Sequence, residues 1–173
     1  MKVFVAGLSK SGKSTRSQHA AAQRTDLEYV GVSKLLKATG GILPVKTFAD
    51  ALFNQQKSSD ALLQRPLARK HLLIDGHALI ETAEGPMPVP DRFFEELRPA
   101  LLIYIQEAPD ELYTRRAPLG MLETPPELAA LMAMERAVCE RIAIRQVIPL
   151  TVLYSPTLHA FTAALEQQLN AAQ

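Results

Sequence analysis

The sequence predicts an α/β fold, a five-stranded parallel sheet with helices on both faces, and three observations carry that expectation. Short apolar runs at 2–6, 27–32, 71–74, 100–105 and 147–153 have the length and composition of strands. Stretches of helical character separate them, and right-handed crossovers wind that alternation into a doubly wound sheet. Between the first strand and the first helix, Gly7-Leu8-Ser9-Lys10-Ser11-Gly12-Lys13-Ser14 fills every fixed position of the G-x-x-x-x-G-K-[ST] phosphate-binding loop.

Each fixed residue of that loop has a physical task. Gly7 and Gly12 permit torsions that a side chain forbids and let amides approach a phosphate. Ser9, Lys10 and Ser11 extend the cradle, whose amides join the positive end of the following helix in one anion site. Lys13 supplies a mobile positive charge to the outer phosphates. Ser14 offers an oxygen to Mg²⁺, and Thr15 adds a second hydroxyl. The motif predicts a bound nucleoside triphosphate and leaves the reaction open.

Composition narrows the class. At 173 residues, 47% of them hydrophobic and 21% charged, the chain suits a single domain, 1–173, with a proper core. A net charge of +1 with scattered Lys and Arg gives no reason to expect a nucleic-acid groove or an anionic membrane partner. Cys139 is the only cysteine, which excludes an internal disulfide and argues against a cysteine-built metal site. With neither an apolar leader nor a membrane-length apolar run, the expected compartment is the cytoplasm.

In chain order, residues 16–24 are Ala-rich and helical, and Ser33 can cap a short helix over 34–38 that Thr39-Gly40-Gly41 ends. Residues 45–70 read as mostly helical, with Leu52, Phe53, Leu62, Leu63 and Leu67 on the buried side. Together, 33–70 form a long helical insert suited to a second ligand. The third strand, apolar on both faces, reads as central. Asp75-Gly76 ends it, so Asp75 either faces the mouth of the sheet and holds Mg²⁺ or merely forms a turn. Prolines 86, 88 and 90 predict an irregular, stiff loop, and a brief helix follows at 91–97. Pro109 suits the first turn of a helix running to Arg116, and residues 117–126 read as a loop without Lys or Arg. From Glu127 a long helix carries Leu128, Leu131, Met132, Val138, Cys139 and Ile142 on one stripe. Pro149 places the fifth strand at an edge. Ser155-Pro156 opens a last helix with Leu158, Phe161, Leu165 and Leu169 inward.

The run 72–80, the segment 84–90, the stretch 94–103, Arg115-Arg116 and Met134-Glu135-Arg136-Ala137 resemble archaeal-type adenylate kinases of the nucleoside monophosphate kinase superfamily. The resemblance implies a three-layer P-loop kinase fold and phosphoryl transfer from ATP with Mg²⁺. It places Ser14 and Asp75 at the metal, and Ser33, Leu36, His77 and the Pro86 to Val89 segment around the acceptor. Arg115 and Arg116 begin a short lid of about 117–126, and Arg136 braces the transferring group. Read without the resemblance, Arg115 and Arg116 simply suit a helix C-terminus, Arg136 can pair with Glu140, and His77 can serve a loop.

Two departures bear on function. Residues 117–124 add no arginine to the lid, and 45–50 offer the acceptor phosphate only Lys46, a point charge without the fork of arginine. The leading expectation is therefore a kinase acting on a nucleoside monophosphate or a similar small molecule, with AMP left open. The alternative is a nucleotide-binding switch or accessory protein with slow turnover and a protein partner. An ATPase acting on a macromolecule ranks last.

Overall fold

The computed structural model describes residues 1–171. Five strands form one parallel sheet: β1 (Lys2–Ala6), β2 (Leu27–Gly31), β3 (His71–Asp75), β6 (Leu101–Gln106) and β7 (Leu150–Tyr154), in the order β2-β3-β1-β6-β7. The remaining two, β4 (Leu79–Thr82) and β5 (Gly85–Pro88), make a separate antiparallel hairpin. Strand β1 is therefore central, and β7 lies at an edge as Pro149 predicts.

Alternation along the strands sends successive side chains to opposite faces, each with its own core. Val3, Val5, Leu73, Leu101, Ile103 and Ile105 pack with Ala20 of α1 (Lys13–Ala22) and with Phe161, Leu165 and Leu169 of α7 (Leu158–Ala171). Phe4, Ala6, Leu72, Ile74, Leu102 and Tyr104 face the other way. They meet Leu62 of α3 (Phe48–Leu63), Phe93, Phe94 and Leu97 of α4 (Asp91–Leu97), and Val138, Cys139 and Ile142 of α6 (Pro125–Gln146). Phe4, Phe93 and Phe94 stack edge to face with centroids 5.1–6.1 Å apart. The three layers of the predicted fold are thus present. No helix among the described residues is long and apolar enough to cross a membrane.

Several local expectations change. The proline-rich segment is a strand: Gly85–Pro88 pairs with Leu79–Thr82, because a two-stranded hairpin leaves β5 an outer edge where prolines cost no ladder bond. Helix α2 (Val32–Thr39) starts at Gly31, so Ser33 lies within it and does not cap it; Gly40 closes it in the left-handed conformation as expected. In α3, Leu52, Phe53 and Leu63 are exposed, as is Leu67 beyond it, and Leu62 alone of the five predicted positions is buried. The inward side of α3 instead carries Ala51, Asn54, Ser58 and Ser59, where Asn54 exchanges two hydrogen bonds of 2.8 Å with the Ile42 backbone. A capping box of Thr47 and Asp50 sets its start. Thr157 rather than Ser155 caps α7, accepting from Ala160 N–H at 3.1 Å, and Leu158 is partly exposed.

Candidate active site

Every strand of a parallel sheet delivers its carboxyl end to the same rim, and three of them build the site here. The phosphate-binding loop leaves β1 between Asp75, the last residue of β3, and Glu107, just past β6. Its path requires glycine at two points. Gly12 sits at φ 78°, and a Cβ on Gly7 would stand 2.9 Å from the Ile105 carbonyl. Ser11 N–H donates to the Leu8 carbonyl at 3.1 Å, so the loop folds back and presents the first turn of α1 to open space.

That space is a cavity of about 730 Å³ lined by Ser9, Lys10, Gly12, Lys13, Ser14 and Thr15 of the loop. Ser33, His77, Arg16 and Arg115 complete its polar wall, and Pro156, Thr157 and Leu158 close the far side. Lys13 is buried and donates from Nζ to the Leu8 carbonyl at 3.2 Å. Burial pulls its pKa down, while Glu135, Asp75 and Glu81 pull it back up. Arg16 is fixed by Ser11 O and Pro156 O at 2.6 Å each and by Glu107 at 2.9 Å. Glu107 also lies 3.5 Å from Arg115, whose side chain is partly exposed at the cavity.

Asp75 is held by a tyrosine. Tyr29 Oη donates to Asp75 Oδ2 at 2.7 Å, and burial, more than Asp75, raises the tyrosine's pKa. Asp75 is thus buried at the carboxyl end of β3, the strand beside β1. No group of three or more His, Cys, Asp or Glu suited to a metal exists among the described residues. One carboxylate and one hydroxyl beside a phosphate cradle are nonetheless the sparse protein donor set that Mg²⁺ uses when phosphate and water oxygens supply the rest. Ser14 and Asp75 fit that ion. No motif marks Tyr29 in the sequence; it lies in β2, the edge strand beside β3.

A second cavity, of about 250 Å³, adjoins the first and shares Ser9, Ser33 and His77 with it. Its walls are mainly apolar, with Phe4 and Phe93 below and Leu36, Val45 and Ile80 at the sides. Of the predicted acceptor residues, Ser33, Leu36 and His77 line it, while Lys46, Pro86 and Val89 do not. Lys46 is exposed and uses its backbone to hold Asp50 and Ala83; Pro86 is exposed on the hairpin; Val89 is wholly buried in the core. Arg65 and Arg69 are held by Glu28 and by the Leu27 carbonyl. His77 is half-buried with Nδ1 enclosed. Burial, with Lys13 adding to it, pushes its pKa well below the usual imidazole value, so the ring is neutral at pH 7.

Two arginines change role. Arg116 is wholly buried, gripped by Glu81 of the hairpin and by Glu123 at 3.0 Å, so it ties the lid to the hairpin instead of facing phosphate. Arg136 pairs on the surface with Glu140 at 2.8 Å and with the Tyr154 hydroxyl at 2.9 Å. Its neighbour Glu135, one residue and about 100° around the helix, is the side chain that α6 turns inward. Glu135 accepts from Ala78 N–H at 2.9 Å and from Leu79 N–H at 3.4 Å, and burial pushes its pKa up to about 7 against the pull of Lys13. Sequence reasoning missed Glu135 because an acid on an apolar stripe reads as a surface interruption.

The cradle, the central lysine and the paired cavities define the P-loop kinase fold. Residues 6–119 match the AAA domain family, and the chain belongs to that family. Its structure is similar to shikimate kinase from Acinetobacter baumannii in complex with shikimate, with TM-score 0.68 and 15% identity over 99% of this chain and 94% of that one. It is also similar to a gluconokinase from Sinorhizobium meliloti 1021, with TM-score 0.56 and 17% identity over 99% of this chain and 97% of the other. At these identities the likeness is one of fold. No curated protein matches the sequence.

Proposed function

We propose that the chain is a small-molecule kinase that holds ATP in the larger cavity and transfers its γ-phosphoryl group to an acceptor in the smaller one. The observation that carries this reading is that the two cavities meet at Ser9, Ser33 and His77, beside the phosphate-binding loop. Gly7 to Thr15 cradle the phosphates and Lys13 neutralises their charge. Mg²⁺, held by Ser14 and Asp75, would screen the phosphate oxygens when bound. Arg115 reaches the cavity from α5 (Pro109–Arg116), where its partial exposure leaves it able to follow a bound phosphate. The neutral His77 ring stands at the junction. Phosphoryl transfer asks the protein mainly for position and positive charge, which this arrangement supplies on the donor side.

The sequence resemblance to archaeal-type adenylate kinases supports the donor half, and a nucleoside monophosphate is the acceptor that resemblance implies; the lining of the smaller cavity, without lysine or arginine, does not favour it. The alternative is a nucleotide-binding switch with slow turnover. It draws support from the arginines, since Arg116 is consumed by two carboxylates and Arg136 faces away. Purified protein with ATP, Mg²⁺ and an acceptor panel separates the two. Transfer that disappears on Lys13→Ala supports the kinase. Calorimetric ATP binding without product from any acceptor favours the switch.

A further inference from the structure

Resting on the reading of the smaller cavity as the acceptor site, the geometry points to an acceptor that carries no negative charge: a compact, mainly apolar molecule with a hydroxyl, rather than a phosphate ester, a carboxylic acid or a nucleotide. Among the described residues, no lysine or arginine lines this cavity. Its one charged lining residue is Glu81, an acid. The guanidinium that answers Glu81 belongs to Arg116, which Glu123 also claims, so the trio is one negative charge in excess and has none of its positive charge to lend.

The junction with the larger cavity gives the same answer. Ser9, Ser33 and His77 form it, with no lysine or arginine among them to offset a second anion placed against the donor's terminal phosphate. A recognised anion needs a charge-assisted partner, usually a forked arginine, and burying one without such a partner costs more than apolar contact returns. Asn54 also lines the cavity but spends both amide atoms on Ile42, so Ser9, Ser33, Gln55 and His77 are the polar groups that remain to orient a hydroxyl. Size agrees with a small molecule, because about 250 Å³ falls below the range of roughly 300–1,000 Å³ typical of drug-sized ligands. In the step this implies, the hydroxyl oxygen bonds to the γ-phosphorus as the β,γ-bridging P–O bond breaks. ADP leaves, and the hydroxyl proton passes to solvent.

Two matched trios test the charge rule on the full chain by methyl NMR of Leu36, Val45 and Ile80. One is benzyl alcohol, benzoate and phenyl phosphate; the other is cyclohexanol, cyclohexanecarboxylate and cyclohexyl phosphate. At least one alcohol should perturb the cavity methyls and bind ten times more tightly or better than its two anions. A Val45→Arg variant should narrow or reverse that ratio. Anions binding as tightly as their alcohols overturn the inference, and so does the absence of any alcohol response at 10 mM, on the order of the weakest affinity such fragments show. A parallel titration with ATP and Mg²⁺ reads the loop amides. If they respond while the anions win, only the acceptor rule fails; if they do not respond, the kinase reading fails and takes this inference with it.

Discussion

The two cavities differ in how they are built, and the difference explains their chemistry. The larger one takes its floor from consecutive residues, Ser9 to Arg16, whose backbone amides and helix end would bind phosphate whatever the rest of the fold did. The smaller one gathers side chains from positions as distant as Phe4, Leu36, Gln55, Phe93 and Met121, and only tertiary packing brings them together. One is a local, cationic device; the other depends on tertiary packing and, among the described residues, has no lysine or arginine. On the proposed reading, donor binding and acceptor choice are separated in space and joined at three residues.

Mutations can break that contrast, beginning with the largest effect. Lys13→Ala removes the buried cation of the donor side and should lower phosphoryl transfer by roughly a hundred- to a thousandfold, read as ADP release, with the fold intact by circular dichroism. Arg116→Met leaves Glu81 and Glu123 without their partner. It should cost about 3–5 kcal/mol, a fall in Tm of roughly 6–20 °C, rather than act selectively on the chemical step. If Tm holds and only turnover falls, the structural role given to Arg116 is wrong.

Glu135 gives a smaller effect with a definite sign. Burial raises its pKa from 4.5 to about 7, so between those values the native state keeps a proton that the unfolded chain has released. Stability from this group is therefore present at low pH and is lost as pH rises through about 7. Glu135→Gln should be nearly neutral near pH 4.5 and stabilising at pH 8 by up to about 3 kcal/mol, measured as the difference in denaturation between variant and parent. A variant less stable at pH 8 would contradict it. Smallest of all is Arg136→Ala, which removes an exposed pair and should leave Tm and turnover almost unaltered. A large loss of activity would restore the arginine to the reacting phosphate.

The same contrast governs what could be read before the fold was known. The five sheet strands, their parallel order of α and β, the central loop and the edge position of β7 were legible because periodicity and the phosphate motif are local signals. The buried stripe of α6 was also legible, from Leu128 to Ile142, while the inward turn of Glu135 was not: nothing in the pattern says that the Ala78 and Leu79 amides need an acceptor there. Helix α3 largely defeated the apolar rule, since Leu52, Phe53 and Leu63 face outward and Ser58, Ser59 and Asn54 face in, with Leu62 alone buried as expected. Prolines 86 and 88 signalled a loop because their lost donors were counted as if the strand had two neighbours. Of the residues expected around the acceptor, Ser33, Leu36 and His77 line the smaller cavity, and Lys46, Pro86 and Val89 do not, because tertiary packing exposes Lys46 and Pro86 and draws Val89 into the core.

A crystal structure with a non-hydrolysable ATP analogue and Mg²⁺ bears most directly on the meeting of donor and acceptor. The account predicts the β- and γ-phosphates within the loop amides and Lys13, the ion beside Ser14 and Asp75, and the γ-phosphate pointing at the junction of Ser9, Ser33 and His77. A terminal phosphate directed away from that junction, or an analogue bound outside the loop, would contradict it.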